Sequence, residues 1–356
     1  MIGGRITRYP RNFLPQMKAL ILGCGSIGLR HIAHLRLLGL ANIEVSDPDL
    51  AAGQRAKEKF GITVSLAPEE ALQKNPDIVL VCTPAAHHIP MALKALDAGA
   101  HVFIEKPLST NLDGLDLLIE KARRSRRTIQ IGYNLRYHPA IRALKRLLES
   151  GRSGKILSAH VEFGLYLPKW WPNRDYRQSY MADADLSGGL LFDVSHEIDL
   201  LMWFLGEVVE VAGYAGKLST LKIHGFDLIK VLMKMASGAV ASLHIDCLQP
   251  TYSRAYSLMG EDTCIRWDCC HGRADKSLGR LLWFDSKSNR YQRVSLRGRP
   301  EDTYLDELRD FLQSVKTGKP PLVGLQDGIA VLRVASEIQE AIQTGRARRI
   351  DGCSQL

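Results

Sequence analysis

The sequence lacks the cysteine spacings that small zinc and redox sites require. Its seven cysteines are scattered, and no two of them form a Cys-x-x-Cys pair, which argues against a structural zinc site or thioredoxin-like chemistry. We therefore predict no metal site. Scattered cysteines also favour a reducing, cytoplasmic compartment. The cysteines are Cys24, Cys82, Cys247, Cys264, Cys269, Cys270 and Cys353.

Long apolar runs are also missing. No stretch reaches the ~18 residues of a membrane-spanning helix, so we predict no membrane association. Residues 1–16 hold three arginines and two prolines without the apolar core of a secretory signal. Because Met17 directly precedes the first predicted strand, we expect residues 1–16 to be a flexible extension. An arm that packs on a partner subunit is the alternative.

Acidic residues are fewer than basic ones. The 356 residues include 38 Asp and Glu against 47 Lys and Arg, which gives a net charge of +9. Part of the excess lies between Lys121 and Arg127, a run that would suit nucleic acid or a membrane surface. A solvated helix C-terminus is the preferred interpretation. We therefore expect no nucleic-acid partner, while the general positive field favours an anionic substrate.

The most informative stretch is an apolar strand that leads into Gly-x-Gly-x-x-Gly and then a helical pattern. The unbroken apolar run is typical of a strand buried on both faces of a parallel sheet. Gly23 would permit a tight turn, Gly25 would let the backbone approach a pyrophosphate, and Gly28 would let helix and strand pack closely. Ser26 and Ile27, at the start of the helix, would face the phosphates.

An acid follows at the distance that dinucleotide binding requires. The second strand-like run ends at Asp47, nineteen residues after Gly28, near the ~20-residue offset of a ribose-binding carboxylate. The alternative is a helix cap or turn residue before Pro48. Because strand, glycines, helix and acid agree, we interpret Asp47 as the ribose ligand. It favours NAD over NADP, since its carboxylate would repel a 2′-phosphate and Arg55 is the first basic residue after it.

Strand and helix signals alternate through residue 133, which predicts a doubly wound parallel sheet of the Rossmann type over residues 17–135. Ligands in such folds bind outside the carboxyl ends of the strands. The predicted strands are 18–23, 42–47, 62–65, 77–83, 101–105 and 128–132. The predicted helices are 26–39, 49–59, 67–74, 87–98 and 110–125.

Two of these strand ends carry candidate site residues. Thr83 and Pro84 form a sharp exit from the fourth strand, and His88 would reach the cofactor or substrate. Alternatively, Thr83 caps a helix and His88 is a surface residue. The fifth strand ends in Glu105 and Lys106, which we place in the cofactor site. A lysine at this edge is suited to proton transfer or to binding a substrate hydroxyl.

Together the motifs resemble the glucose–fructose oxidoreductase/inositol dehydrogenase (Gfo/Idh/MocA) family. They come in that family's order and span the first domain and its exit. The resemblance implies an NAD(P)-dependent oxidoreductase in which Lys106 is catalytic. The matching motifs are Gly23-x-Gly-x-x-Gly28, Cys82-Thr-Pro-x-x-x-His88, Gly99-x-His-Val-x-x-Glu-Lys-Pro107 and Gly132-Tyr-Asn-x-Arg-x-His-Pro139.

After residue 136 longer strands predominate, which predicts an α+β domain over 136–356 with a large, open and mostly antiparallel sheet. The resemblance implies that such a sheet mediates homodimers or homotetramers. Helices at 303–316 and 325–344 should pack back on the body. The predicted strands are 156–166, 208–217, 227–236, 239–248, 254–259, 263–268, 280–285 and 291–296, after a linking helix at 140–150.

The chemical centre of this domain is an apolar helix that ends at Gly206. Asp193, His196 and Asp199 recur at three-residue spacing, so they would lie near one another on it. A solvent-facing polar stripe is the alternative. The resemblance outweighs that alternative, because the family places an aspartate and a histidine here as catalytic partners of the lysine. His196 would accept a hydroxyl proton, and Asp193 or Asp199 would orient it.

The spacing of this motif departs from the commonest family pattern. Many sugar dehydrogenases of the family place three residues between the aspartate and the histidine, whereas only Val194 and Ser195 intervene here. The shorter form is similar to a subgroup linked to surface-polysaccharide and sialic-acid-like sugars. Asp193 would bind a substrate hydroxyl if it does not orient His196.

A loop rich in proline, aromatic and arginine residues precedes the helix, at 166–177. Trp171 offers a flat face to a sugar or base, while Arg174 and Arg177 offer forks to a carboxylate or phosphate. The alternative is a small satellite core that pins the loop to the sheet. Arg136, near the predicted domain junction, is a further candidate for the substrate site.

These observations predict an NAD(P)-dependent dehydrogenase that acts on a carbohydrate, such as an acidic or nucleotide-linked sugar. His196 would remove the hydroxyl proton, and Lys106 would stabilise the charge that develops on the oxygen. Two alternatives keep the same fold. One is a redox-neutral NAD-dependent glycoside hydrolase, and the other is a non-catalytic sensor of sugar or cofactor, which would not need Lys106 and His196.

Overall fold

The computed structural model describes residues 16–170, 175–179, 183–269 and 278–350. The predicted extension at 1–16 therefore lies outside the described residues, apart from Gln16. The chain divides into two compact units. The first includes the chain up to Glu105, Asp113–Gly132 and Glu307–Gly324, and the second includes Lys106–Leu112, Tyr133–Asp306 and the chain from Leu325 onward.

A six-stranded parallel sheet forms the centre of the first unit, as the alternation predicts. Its strand order, β3-β2-β1-β4-β5-β6, is that of a doubly wound dinucleotide-binding sheet. Both β1 and β4 are buried at every residue, which explains why their sequences are apolar throughout. The strands are β1 (Ala19–Leu22), β2 (Ile43–Ser46), β3 (Thr63–Ser65), β4 (Ile78–Val81), β5 (His101–Ile104) and β6 (Ile129–Ile131).

Five helices connect these strands at the predicted places. They are α1 (Ser26–Leu37), α2 (Leu50–Phe60), α3 (Pro68–Leu72), α4 (His88–Asp97) and α5 (Leu115–Ser125). The last one begins later than predicted, because Gly114 precedes it in a left-handed conformation with φ of 74°.

The second unit contains a nine-stranded sheet, ordered β14-β13-β12-β11-β7-β10-β9-β8-β15. It is mostly antiparallel, as predicted, but β7 and β10 pair in parallel. The two-residue edge strand β15 was not predicted. The strands are β7 (Ile156–Gly164), β8 (Val208–Gly216), β9 (Leu228–Met235), β10 (Val240–Asp246), β11 (Ser253–Gly260), β12 (Cys264–Asp268), β13 (Arg280–Asp285), β14 (Arg290–Arg293) and β15 (Arg348–Arg349).

The remaining helices are α6 (Pro139–Glu149), α7 (Ala184–Ser187), α8 (Leu190–Asp193), α9 (His196–Leu205), α10 (Thr303–Thr317) and α11 (Leu325–Thr344). The continuous helix expected from Asp193 to Gly206 is interrupted, so Asp193 ends α8 and His196 begins α9. Three-residue spacing cannot reveal such a break. No helix in the described ranges is both long and apolar enough to cross a bilayer.

Helix α10 completes the core of the first unit, as expected for a helix that packs back on the body. Leu308, Phe311 and Leu312 are fully buried in the cluster that covers β1 and β2. Phe311 also meets Phe103 of β5 edge-on, with ring centroids 5.8 Å apart. Each such side chain stabilises the fold by ~1.5–3 kcal/mol, so the parallel sheet depends on residues far away in the sequence.

Candidate active site

The glycine-rich loop after β1 is fixed by its own packing. Gly23 has φ of 101°, and a Cβ there would lie 2.5 Å from the Cys82 carbonyl oxygen. A Cβ on Gly28 would lie 2.0 Å from the Gly23 carbonyl oxygen. By contrast, a Cβ on Gly25 would meet no atom within 4 Å. Gly23 and Gly28 are therefore required by the fold, whereas Gly25 leaves the backbone open to a ligand.

The loop delivers the N-terminus of α1 to that open space. Gly25 is the N-cap and makes no side-chain capping bond, and no acid lies in the first helical turn. Gly25 and Ser26 are exposed, while Ile27 is half-buried against the core. A helix N-terminus without an acid of its own favours an anion, so the loop fits the pyrophosphate of a dinucleotide.

Asp47 lies against this loop. Its Oδ2 accepts a hydrogen bond from the Cys24 amide at 2.6 Å, and its Oδ1 accepts one from the Asp49 amide at 2.9 Å. The expected turn role and the expected ribose role are therefore compatible. Each carboxylate oxygen has a further lone pair, so the half-buried side chain can still accept from a ribose hydroxyl.

The ends of β2 and β4, the strands on either side of β1, offer further polar groups to a cofactor. The hydroxyls of Thr83 and Ser46 are buried and have no hydrogen-bond partner within the described part of the chain. Leaving such a group unsatisfied costs ~1–3 kcal/mol, a cost that a bound dinucleotide would relieve. His88 is buried rather than exposed, and its Nε2 lies 2.8 Å from the Thr83 carbonyl oxygen. Pro84 is exposed beside it.

Glu105 points into the first unit. Only 6 % of the residue is exposed, and its Oε1 lies 2.6 Å from Nε2 of the buried His31. A Cβ on Gly132 would lie 3.1 Å from Oε2 of Glu105. The glycine in the Gly132-Tyr-Asn motif thus makes room for this carboxylate.

Lys106 and Asp193 meet in the second unit although 87 residues separate them in the chain. The ammonium of Lys106 donates to the carbonyl oxygen of Asp193 at 2.6 Å and to its carboxylate at 3.0 Å. Their side chains are 18 % and 9 % exposed, respectively. The carbonyl belongs to the last residue of α8, where the helix end favours a cation. The pair that the motifs predict is therefore assembled, with the lysine held in place.

His196 follows as the first residue of α9. Its ring packs edge-on against Tyr133, with centroids 5.6 Å apart. Burial, followed by the cations of Lys106 and Arg254, holds the pKa of His196 well below its ordinary value. The imidazole is thus neutral near pH 7, as a proton acceptor must be.

Asp199 bonds to a residue other than His196. Its carboxylate accepts from Arg136 Nε at 3.0 Å and from Nη2 at 2.6 Å, and Arg136 also pairs with Asp327 of α11 at 3.0 Å. The pKa of Asp199 is raised to about 6, because the effect of burial exceeds the opposing effect of the Arg136 charge. In this arrangement the buried Arg136, predicted to bind substrate, joins α9 to α11.

A second buried ion pair went unpredicted. Glu197 is fully buried on α9 and lies 2.8 Å from Nη2 of Arg254 on β11, and the hydroxyl of Tyr256 donates to the same carboxylate. Arg254 also covers the Phe163 ring at 4.7 Å. A glutamate within an apolar helix is the one sequence feature that could have indicated a buried ion pair. Its partner Arg254 lies 57 residues further along the chain, on a strand whose register the sequence does not reveal.

The predicted substrate loop is only partly described. Trp171 and Arg174 lie outside the described residues. Arg177 is exposed and forms a two-pronged pair with Asp175, at 2.5 Å and 2.9 Å. Trp170 packs on Phe163 at 5.8 Å between centroids, which agrees with the alternative that the loop is pinned to the sheet.

The fold and the site define a class of protein. Residues 17–133 match the oxidoreductase family model with an NAD-binding Rossmann fold, GFO_IDH_MocA, and residues 141–266 match the C-terminal domain model of the same family. The chain belongs to the Gfo/Idh/MocA family, as the resemblance predicted. It is an oxidoreductase with an NAD-binding Rossmann fold.

Particular relatives span nearly the whole chain. The myo-inositol 2-dehydrogenase of Thermotoga maritima is 26% identical over 348 residues, which cover 94% of this chain and 99% of the relative. A levoglucosan dehydrogenase in complex with NADH has a TM-score of 0.81 at 19% identity, covering 94% and 99% of the two chains. The WlbA dehydrogenase of Bordetella pertussis, in complex with NADH and UDP-GlcNAcA, has a TM-score of 0.79 at 20% identity with the same coverage.

Proposed function

We propose that the chain oxidises a hydroxyl carbon of a carbohydrate with NAD, and that Lys106, Asp193 and His196 carry the reaction. The observation that supports this most directly is the Lys106–Asp193 contact beside a histidine that is held neutral. Glu105 follows the last residue of β5 in the dinucleotide unit, and Lys106 is the next residue along the chain. Glu105, at the end of the sheet where we propose that the cofactor binds, is thus joined to Lys106 by a single peptide bond.

Each side chain has a distinct task. The neutral His196 accepts the hydroxyl proton, and the ammonium of Lys106 donates to the substrate oxygen and stabilises the negative charge that develops there. Asp193 orients Lys106 through its carbonyl and its carboxylate. The glycine loop and Asp47 would hold NAD, which would supply the hydride acceptor for the carbinol carbon. Proton and hydride thus leave the same C–OH group and yield a carbonyl.

The preference for NAD over NADP rests on Asp47. Its carboxylate is fixed at the glycine loop by the Cys24 amide, where it can accept from a ribose hydroxyl and would repel a 2′-phosphate. The remaining predicted cofactor contacts come from the loop, the helix N-terminus and the strand ends. They are Gly23, Gly25, Ser26, Ile27, Gly28, Thr83, Pro84, His88, Glu105 and Lys106.

The substrate we propose is a cyclic polyol or a sugar, including acidic and nucleotide-linked sugars. The support is a relative named as an inositol dehydrogenase, a similar fold solved with a nucleotide sugar, and the net positive charge. Arg136, Trp171, Arg174 and Arg177 remain predicted substrate residues. Among the described residues of this set, Arg177 has an exposed side chain.

We also propose that the nine-stranded sheet forms a homodimer or homotetramer. Along β9 the buried and exposed residues alternate, and Leu232 is 57% exposed on the outer face. Tyr214, Val240 and Met259, on other strands of the same sheet, are 69%, 49% and 50% exposed. A second copy would cover these apolar side chains. The free thiols among the described cysteines support a reducing, cytoplasmic location.

The test is to incubate the protein with NAD or NADP and a panel of cyclic polyols, free sugars, uronic acids and UDP-sugars. We expect one substrate class to reduce NAD, measured at the absorbance band of reduced nicotinamide. Cofactor binding by calorimetry without reduction by any substrate would contradict the proposal and favour the sensor. Glycoside cleavage without net reduction would favour the redox-neutral hydrolase.

A further inference from the structure

A cluster of buried ionisable groups lies inside the first unit. It is formed by His31 of α1, Glu105 after β5 and Glu307 of α10, which are 0 %, 6 % and 0 % exposed. One polar side-chain atom from each lies within 4.8 Å of the other two. The proposed reaction leaves His31 and Glu307 without a task.

Two of the three groups are bonded to each other. The 2.6 Å contact between His31 Nε2 and Glu105 Oε1 is a direct hydrogen bond. On the other side of the carboxylate, Gly132 has no Cβ and so leaves room for Oε2. The position of Glu105 therefore depends on groups within the unit.

Glu307 is different, because neither of its carboxylate oxygens accepts a hydrogen bond from a donor in the described ranges. Its main-chain carbonyl accepts from Gln130 Nε2 of β6 at 3.0 Å, which brings the side chain to the sheet. The charged or titratable groups that act on it are Glu105 and, from α1, Arg30. The Cys82 thiol after β4 is also nearby, and its pKa is raised by burial and by both glutamates.

Two carboxylates that share a dry site cannot both be ionised near neutral pH. Burial and the charge of Glu105 hold the pKa of Glu307 well above its ordinary value. A neutral carboxylic acid also has an O–H to donate, whereas an ionised one only accepts. Protonation of Glu307 thus removes the repulsion and supplies a donor for Glu105.

We propose that Glu307 is a neutral carboxylic acid whose O–H donates to Glu105. This bond, together with the bond from His31, positions Glu105, which directly precedes Lys106 in the chain. Glu307 is then a positioning residue that acts on the reaction through Glu105. The proton assignment stands on the first unit alone, while the link to catalysis rests on the proposed function.

A divalent cation is the rival occupant of this cluster, since histidine and carboxylates are common ligands. With bonds of roughly 2.0–2.1 Å to a tetrahedral zinc, two ligand atoms would lie roughly 3.3 Å apart. The His31–Glu105 separation of 2.6 Å is shorter than that and matches a hydrogen bond. The geometry therefore favours a hydrogen bond between His31 and Glu105 over ligation of one ion by both.

The test compares Glu307→Gln with the wild type, and uses Glu301→Gln, at an exposed glutamate, as the matched control. Glutamine keeps the shape and a donor but cannot ionise. In the wild type the folded state keeps a proton that the unfolded chain loses above about pH 4.3, so stability falls as pH rises. One proton changes the unfolding equilibrium up to tenfold per pH unit.

We expect Glu307→Gln to remove a one-proton slope from denaturant unfolding measured between pH 5 and 8, and Glu301→Gln to keep the wild-type slope. An unchanged slope in Glu307→Gln would overturn the proton assignment. A divalent ion found by elemental analysis of the purified protein, and lost from Glu307→Gln, would overturn it in favour of a metal site.

The positioning role is tested by kinetics. We expect Glu307→Gln to keep kcat within about threefold, and Glu307→Ala to lower kcat at least tenfold with little change in KM or in NAD binding. Equal kcat in both variants would overturn the positioning role. The unfolding slope needs no substrate, so failure to find a dehydrogenase substrate would contradict the proposed function and leave the proton assignment separately testable.

Discussion

The glycine-rich loop of the first unit and the cluster of Lys106, Asp193 and His196 in the second unit are built by different means. Backbone geometry shapes the glycine loop, where added Cβ atoms would strike carbonyl groups at 2.0 and 2.5 Å. Side-chain pairing shapes the cluster. Lys106 is held by Asp193, and α9 is held by its ion pairs with Arg136 and Arg254. Changes in the loop should therefore affect folding and cofactor binding together, whereas changes in the cluster should affect rate.

The largest effect should come from Gly28→Ala. The new methyl would overlap the Gly23 carbonyl, so we expect a fall in melting temperature together with loss of NAD binding by calorimetry. Gly25→Ala is the matched control, because its methyl would meet no protein atom. It should melt like the wild type and still bind NAD at least tenfold more weakly. Equal stability of both variants would contradict a loop fixed by backbone packing.

Next in size are Lys106→Ala and His196→Ala. We expect each to lower kcat by roughly 10²–10⁴-fold, the range attributed to general acid–base catalysis, while NAD affinity stays within a few fold. His224→Ala, at an exposed histidine of the same unit, should leave kcat unchanged. Normal turnover in either of the first two variants would remove that residue from the mechanism.

The third prediction concerns the cofactor edge alone. Asp47→Asn keeps an acceptor for the Cys24 amide but removes the charge that would repel a 2′-phosphate. We expect the ratio of kcat/KM for NADP to that for NAD to rise roughly tenfold, equivalent to about 1.4 kcal/mol. Asp49→Asn, at the α2 cap, should not change this ratio. An unchanged ratio in Asp47→Asn would show that the cofactor choice is made elsewhere.

A smaller effect is expected on the pH profile. Because the pKa of His196 is lowered, activity should fall on the acid side only as pH drops through a value below 6.5. Arg254→Gln with Glu197→Gln removes one of the cations that lower this pKa and leaves no unpaired buried charge. The acid limb of kcat/KM should then move to higher pH. A limb that stays in place would exclude Arg254 as a cause.

The smallest effect on catalysis should come from Leu232→Glu on the outer face of the nine-stranded sheet. We expect the assembly to dissociate to smaller species in light scattering after size exclusion, with kcat nearly preserved. Leu37→Glu, at a leucine that is 74% exposed on α1, should keep the wild-type mass. A wild-type mass for Leu232→Glu would contradict assembly through this face.

Much of the architecture follows from local pattern. The alternation of strands and helices predicts the six parallel strands that the structure shows. Lys106 and Asp193 are brought together as the motifs suggest. The strands depend on short segments with a clear periodicity, whereas the partnership of Lys106 and Asp193 is implied by the family resemblance.

The features that escape prediction depend on distant partners. Glu197 pairs with Arg254, and Glu307 enters a core whose sheet ends 176 residues earlier, at Ile131. The break between Asp193 and His196 is also invisible, since residues three apart look alike in one helix or in two. Register and packing decide such contacts, and neither is written in a single segment.

The return of α10 to the parallel sheet has a consequence for protein synthesis. A nascent chain that has produced all six strands still lacks Leu308, Phe311 and Leu312, which close the core over β1 and β2. The dinucleotide unit is therefore completed only when translation has reached Gly324. Until then its apolar face is open to chaperones or to neighbouring chains, and a gene fragment that ends at residue 135 would encode an unfinished domain.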